Sequence, residues 1–149
     1  MFQFRKIAST GALFAALGLG AIASMPAMAE TVAMTGKLAA SNEVPANTST
    51  GMGAVEGSFD KQTKMLNWTV TYSGLTGPVK AGHFHGPAMA GQNAGVALGF
   101  TGGMDSPIKG SATLTDAQAA DLLAGKWYVN LHTAANAGGE VRGQVTFTP

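Results

Sequence analysis

The sequence contains no cysteine and few charged residues, and it has no run of basic residues. Without cysteine the chain forms no disulfide and offers no thiolate nucleophile. Once Arg5 and Lys6 near the N-terminus are set aside, seven basic and eight acidic residues remain, a net charge of −1. Because no Lys/Arg cluster is left, the composition argues against nucleic-acid binding and against electrostatic binding to a membrane.

Signatures of catalysis are also missing. Serine and threonine are plentiful, but no serine lies in a Gly-x-Ser-x-Gly motif, and no glycine-rich phosphate loop with a lysine follows a strand-like segment. The eight acidic residues are scattered and do not single out a pair for acid–base chemistry. We therefore expect a protein that is not an enzyme.

The N-terminus has the pattern of a signal peptide. Arg5 and Lys6 precede the apolar residues 11–23, and Ala27-Met28-Ala29 resembles a cleavage site. The pattern predicts cleavage after Ala29, and hence export to the periplasm or to the external medium. An uncleaved membrane anchor is the alternative, although the apolar stretch is short for a span. A bacterial lipid anchor is excluded because no cysteine is present.

The remaining residues 30–149 are long enough for one domain and have the pattern of a β protein. In one segment Leu66, Trp68 and Val70 alternate with polar residues, and this period of two indicates a strand with one buried face. Glycine, proline and asparagine separate the apolar segments. The predicted strands are Val32–Ala40, Gly51–Asp60, Met65–Ser73, Val79–His85, Val96–Thr101, Ile108–Leu114, Lys126–Thr133 and Glu140–Phe147.

One short segment, Thr115–Ala124, predicts a helix instead. Thr115 and Gln118 have the spacing of a capping box, and Gly125 is placed to end the helix. An otherwise β-rich chain with one helical crossover predicts an all-β fold, either a Greek-key or immunoglobulin-like β-sandwich or a barrel.

All three histidines lie in two of the predicted strands. His83 and His85 flank Phe84, so on a strand the two imidazoles share one face while Phe84 points to the core. His132 likewise lies on the face opposite Val129 and Leu131. The pattern places all three imidazoles outside the apolar core. There they either form a cluster of metal ligands or lie at the ends of their strands without binding any ligand.

A three-histidine cluster would suit copper or zinc, and the affinity order favours Cu²⁺. Such a site requires the ring nitrogens to lie within about 4–5 Å of one another, since metal–nitrogen bonds are ~2 Å long. Met89 or Met104 could add a thioether ligand, and Glu43, Asp105 or Glu140 could add an oxygen ligand or accept a hydrogen bond from an imidazole. Arg142 and Glu140 are expected to lie near the imidazoles without binding the metal.

Several longer motifs resemble the CHRD domain, the chordin-type module that is widespread in exported bacterial proteins. The resemblance implies an all-β fold, and its histidines correspond here to His83, His85 and His132. It does not carry over the growth-factor binding of chordin. The motifs that carry the resemblance are Leu38–Pro45, Tyr72–Pro78, Ala81–Pro87, Leu114-Thr115, Leu122–Thr133 and Asn136–Gln144.

A looser likeness connects the chain with copper/zinc superoxide dismutase. It rests on the all-β fold, the His83-x-His85 strand, and the turn Asn136–Gly139 followed by Arg142. However, three histidines are too few for separate copper and zinc sites, and the disulfide cysteines of that enzyme are missing. The likeness therefore favours a single copper-type site and argues against dismutase activity.

The sequence thus leads to two main hypotheses. In the first, an exported single-domain CHRD protein binds one transition metal, copper, through His83, His85 and His132, and handles the metal rather than turning over a substrate. In the second, the domain is a non-catalytic structural or protein–protein interaction module of the cell envelope, with an unidentified envelope protein as its partner. Neither hypothesis involves nucleic acid, or a membrane after signal cleavage.

Overall fold

The computed structural model of the protein describes residues 30–148, in which nine strands and one α-helix follow one another along the chain. The predicted signal peptide lies outside these residues. Ala40–Asn42 forms a short 3-10 turn. The elements are β1 Thr31–Ala39, β2 Met52–Asp60, β3 Met65–Ser73, β4 Val79–His85, β5 Val96–Gly99, β6 Ile108–Thr113, α1 Asp116–Leu123, β7 Tyr128–Thr133, β8 Val141–Gln144 and β9 Thr146–Thr148.

The strands form one antiparallel sheet, in the order β5-β4-β7-β8-β1-β2-β3-β6, with β9 paired to β1. The sheet curls into a half-barrel, so that strands far apart in this order face each other across the core. Trp68 of β3 and Phe84 of β4 show this directly: their ring centroids are 5.4 Å apart, although β7, β8, β1 and β2 lie between the two strands in the sheet. The predicted all-β class with one short helix is confirmed.

Alternation along each strand builds the core. Leu66, Trp68 and Val70 are buried on one face of β3, and Phe84 is fully buried between the two histidines of β4. The predicted core positions Trp127, Val129 and Leu131 are buried as well. Because the apolar residues fill the concave side of the sheet, the alternate residues of β4 and β7 are directed to its other side.

The helix begins and ends as the sequence predicts. The Thr115 hydroxyl accepts a hydrogen bond from the Gln118 N–H at 3.2 Å, and the Gln118 side chain accepts one from the Thr115 N–H at 3.0 Å. Gly125 follows the helix with φ +69°, a conformation that glycine adopts without strain. This capping box fixes the crossover between β6 and β7.

The predicted last strand Glu140–Phe147 is two strands in the structure, β8 and β9. The break falls at Val145, whose N–H donates to the Trp127 carbonyl at 2.9 Å and whose side chain is fully buried. Before the break the chain pairs mainly with β7, and after it with β1. The pattern of apolar residues does not reveal this change of partner, because it continues through the break.

None of the helices in residues 30–148 is both long and apolar enough to cross a membrane.

Candidate metal centre

Strand register brings the three histidines together. β4 and β7 are neighbouring antiparallel strands in which His83 faces Asn130 and Ala81 faces His132. His132 therefore lies diagonally across from His83 on the same face of the sheet, at a separation that long side chains bridge easily. His85, two residues after His83, shares this face.

The ring nitrogens converge. One ligand nitrogen from each of His83, His85 and His132 lies within 4.8 Å of the others. His83 Nδ1 and His132 Nε2 are 3.1 Å apart. In residues 30–148 this is the one group of three or more His, Cys, Asp or Glu side chains whose ligand atoms approach so closely.

Two of the imidazoles are oriented by backbone carbonyls. His85 Nδ1 lies 3.0 Å from the Ala94 carbonyl, and His132 Nδ1 lies 2.9 Å from the Ala137 carbonyl. A carbonyl only accepts hydrogen bonds, so Nδ1 carries the proton in both neutral rings and Nε2 keeps its lone pair. This is the arrangement in which histidine usually binds a metal through Nε2.

The Nε2 atom of His85 is buried and has no hydrogen-bond partner among the described residues. An orphaned buried acceptor costs about 1–3 kcal/mol of stability. The His132 lone pair, by contrast, has a neighbour. Since His132 Nδ1 already donates to Ala137, the short contact with His83 requires His83 Nδ1 to donate to His132 Nε2. A metal bound through His83 Nδ1 would have to take the place of that proton.

The surroundings favour uncharged rings. Burial lowers the pKa of His83, and the neighbouring His132 and His85 lower it further when they are charged. Burial also lowers the pKa of His85; the hydrogen bond to the Ala94 carbonyl opposes this, while His132 and Arg142 add to it. Neutral imidazole is also the form of histidine that binds metals.

An aromatic stack closes one side of the site. The His85 ring lies parallel to the Tyr128 ring, with centroids 4.9 Å apart and an interplanar angle of 4°. The Arg142 guanidinium carbon lies 3.4 Å from the centroid of the same tyrosine ring. Two groups cannot occupy the same face at these distances, so Tyr128 is sandwiched between His85 and Arg142.

Among the described residues, no carboxylate joins the three-histidine cluster. Met89 is exposed on the loop after β4. The Met104 carbonyl instead accepts a hydrogen bond from the Tyr72 hydroxyl, and Asp105 acts on the same tyrosine by raising its pKa after the larger effect of burial.

Glu140, predicted to lie beside the imidazoles, belongs to a separate cluster. It is fully buried, and its carboxylate oxygens accept hydrogen bonds from the hydroxyls of Ser49, Thr76 and Thr133 and from the Thr76 N–H. Burial raises the pKa of this carboxyl, but these hydrogen bonds outweigh burial and lower the pKa to about 2. Thr133 points away from the histidines because it alternates with His132 along β7.

Glu43 lies in a third environment. Its side chain is buried and accepts a hydrogen bond from Asn130 Nδ2 at 2.8 Å. Burial raises the pKa of Glu43 to about 7, against the lowering effects of the Arg142 charge and of the Asn130 hydrogen bond.

The sequence analysis did not identify Asn130 as the hydrogen-bond donor to Glu43. The one related feature in the sequence is the glycine at position 139, because the Asn130 and Glu43 side chains leave no space there for a Cβ atom. A Cβ atom at Gly139 would lie 2.2 Å from Asn130 Nδ2 and 2.6 Å from Glu43 Oε1, and the residue has φ +132°.

Residues 34–145 match the CHRD domain. No curated protein and no solved structure matches the chain significantly. The match spans most of the chain and contains every histidine, and it confirms the resemblance drawn from the motifs. The chain therefore belongs to the CHRD domain family.

Proposed function

We propose that this protein is exported and binds one copper ion through His83, His85 and His132, and that it handles the metal rather than catalysing a reaction. The observation that carries the proposal is the buried Nε2 of His85, an acceptor with no partner in the described chain, on a ring that belongs to a cluster of three imidazoles. A bound cation would satisfy this lone pair. Export is supported by the signal-peptide pattern at the N-terminus.

The donor set fits a transition metal. Three neutral imidazoles leave a fourth position open, and first-row metals bind imidazole with the greatest affinity at Cu²⁺. Ligand nitrogens at ~2 Å from a tetrahedral metal lie about 3.3 Å apart. The 3.1 Å separation of His83 Nδ1 and His132 Nε2 meets this condition. The ligand nitrogen of His85 lies within 4.8 Å of the other two, so small side-chain rotations would bring it to the distance that a shared metal requires.

Calorimetric titration with Cu²⁺ and with Zn²⁺ tests the proposal. We expect one Cu²⁺ per chain, bound more tightly than Zn²⁺, with loss of binding in His85→Ala. Lys80→Ala, which removes an exposed side chain of the same strand, is the control and should bind as the wild type does. Affinity should fall as the pH drops below ~6.5, since protons compete for imidazole and the pKa values of His83 and His85 lie below the ordinary value.

Copper binding that survives His85→Ala unchanged would contradict this site. If the wild type binds neither metal, the alternative of a metal-free envelope interaction module would stand. A superoxide assay on the copper-loaded protein should show no rate above that of free copper.

A further inference from the structure

We infer that Arg142 is a positioning residue for the copper site: it holds loop 86–95, the segment between β4 and β5, so that the Ala94 carbonyl turns Nε2 of His85 toward the other two imidazoles. The consequence for copper rests on the proposed function. The effect on the His85 ring does not, and it can be measured in the metal-free protein.

Arg142 makes its hydrogen bonds to the loop, and it acts on Glu43, whose pKa its charge lowers, only from beyond ion-pair distance. Arg142 is 2% exposed, yet no carboxylate of residues 30–148 lies within 4.0 Å of it. Nη1 donates to Asn93 Oδ1 at 2.8 Å, and Nη2 donates to the Gln92 carbonyl. A buried guanidinium requires such partners, because unpaired charge inside a protein is costly.

Loop 86–95 is held by polar contacts rather than by apolar packing. Besides its contacts with Arg142, the Ala88 N–H donates to the Lys126 carbonyl at 2.8 Å, Gln144 Nε2 donates to the Ala88 carbonyl at 2.9 Å, and Asn93 Nδ2 donates to the Val44 carbonyl at 3.0 Å. Ala88 is its one buried residue, and Met89 to Asn93 are exposed. Gly91 has φ +81° with open space around it. A segment with few buried apolar contacts depends on its polar contacts for order, and Arg142 supplies two of them at the residues just before Ala94.

The Ala94 peptide connects the loop to the ligand. Its carbonyl faces His85 Nδ1 at 3.0 Å, and its N–H donates to the Tyr128 hydroxyl at 3.2 Å. Arg142 covers the other face of the same tyrosine, whose ring stacks on His85. Arg142 therefore acts on His85 along two routes, through residues 92–94 of the loop and through the Tyr128 ring, without touching the imidazole.

Lysine cannot replace this arginine. An ammonium group is a point charge on a flexible stem, and it lacks the planar fork that reaches two acceptors while lying flat on an aromatic ring. Arg142→Lys keeps the charge but should release the loop, which separates positioning from electrostatics.

The test is ¹⁵N NMR of the histidine rings in metal-free protein, together with Cu²⁺ titration, on wild type and Arg142→Lys. We expect the wild-type His85 ring to carry its proton on Nδ1, and the variant to show a mixture of the two tautomers. Copper affinity should fall by about 10- to 100-fold, the usual effect of removing a group that orients a ligand.

Gln118→Ala is the control for a general loss of stability. Gln118 caps the helix and donates to the Ala97 carbonyl, outside loop 86–95. This variant should keep the wild-type His85 tautomer and copper affinity. If Arg142→Lys does not fold, Asn93→Ala decides instead, because it removes the Nη1 acceptor at an exposed residue, together with the hydrogen bond from Asn93 Nδ2 to the Val44 carbonyl. We expect a smaller change of the same kind.

A folded Arg142→Lys protein with the wild-type tautomer and copper affinity would overturn the inference. If Arg142→Lys does not fold, an Asn93→Ala protein with the wild-type tautomer and copper affinity would overturn it. A wild type that binds no copper would overturn the proposed function alone, since the tautomer measurement still decides the role of Arg142.

Discussion

Two polar clusters lie on opposite faces of β7, and they differ in how completely their hydrogen bonds are made. Thr133 points into the cluster around Glu140, where the carboxylate accepts four hydrogen bonds. The preceding residue, His132, points into the histidine cluster, where the buried Nε2 of His85 has no partner in the described chain. Neighbouring residues of one strand thus serve two sites of different kinds.

The number of unsatisfied acceptors in a buried cluster indicates whether the cluster stabilises the fold or is available to bind a ligand. A buried charge whose acceptors are all used stabilises its surroundings and has nothing left to offer a ligand. A buried lone pair without a donor, such as that of His85 Nε2, is a cost to the folded protein unless something binds there. On this basis we assign the Glu140 cluster to the architecture and propose that the histidine cluster binds a metal.

The largest expected effect is on stability, from Glu140→Gln. The amide replaces one acceptor oxygen by a donor, so buried hydroxyls around it lose their partner. We expect a loss of about 3–5 kcal/mol in the free energy of unfolding, as for other broken buried charge networks. Urea unfolding at pH 7 measures it, with Glu56→Gln at an exposed strand position as the control. A loss below about 1 kcal/mol would remove the contrast between the clusters.

The second prediction concerns the pH dependence of stability. Glu43 has a pKa of about 7, above the ordinary 4.5, so its contribution is present below pH 4.5 and is lost as the pH rises toward 7. Glu140 has a pKa of about 2, so its contribution is present above pH 4.5 and is lost as the pH falls toward 2.

Between pH 4.5 and pH 7, therefore, the stability of the wild type should fall by about 2–3 kcal/mol relative to that of Glu43→Gln, from the shift in the Glu43 pKa. Effects of other groups, such as the lowered pKa values of His83 and His85, are common to both proteins and cancel in this comparison. Thermal unfolding across this range compares the two proteins. An unchanged pH profile in the variant would show that Glu43 is ionised in the folded protein at pH 7.

The smallest expected effect on stability comes from His85→Phe. Phenylalanine retains a flat ring to stack on Tyr128, and it removes the orphaned Nε2 together with one hydrogen bond to Ala94. These changes oppose each other, so the metal-free variant should unfold within about 1 kcal/mol of the wild type. A loss as large as that of Glu140→Gln would mean that the histidine cluster is structural.

Much of the fold follows from local patterns. The alternation in β3 predicts its buried face, and the capping box at Thr115 predicts the helix start. The faces of the three histidines also follow from alternation, because Phe84, Val129 and Leu131 fix which side is the core. These features depend on residues close together in the sequence.

Features that depend on strand order could not be predicted in this way. The convergence of His83 with His132 requires β4 to pair with β7, a contact between segments far apart in the chain. The same limit explains the wrong placement of Glu140 beside the imidazoles: its position is set by Ser49 and Thr76, which lie in distant loops. Asn130 and Tyr128 acquire their roles through this pairing as well.

X-ray absorption spectroscopy of the protein loaded with one equivalent of copper tests the central claim most directly, because it reports the ligands of the metal. We predict three nitrogen ligands at ~2 Å with the multiple scattering of imidazole, and fewer imidazoles in His85→Phe. A wild-type spectrum with one imidazole or none, or a spectrum that does not change in the variant, would contradict the assignment of His83, His85 and His132 as the copper site.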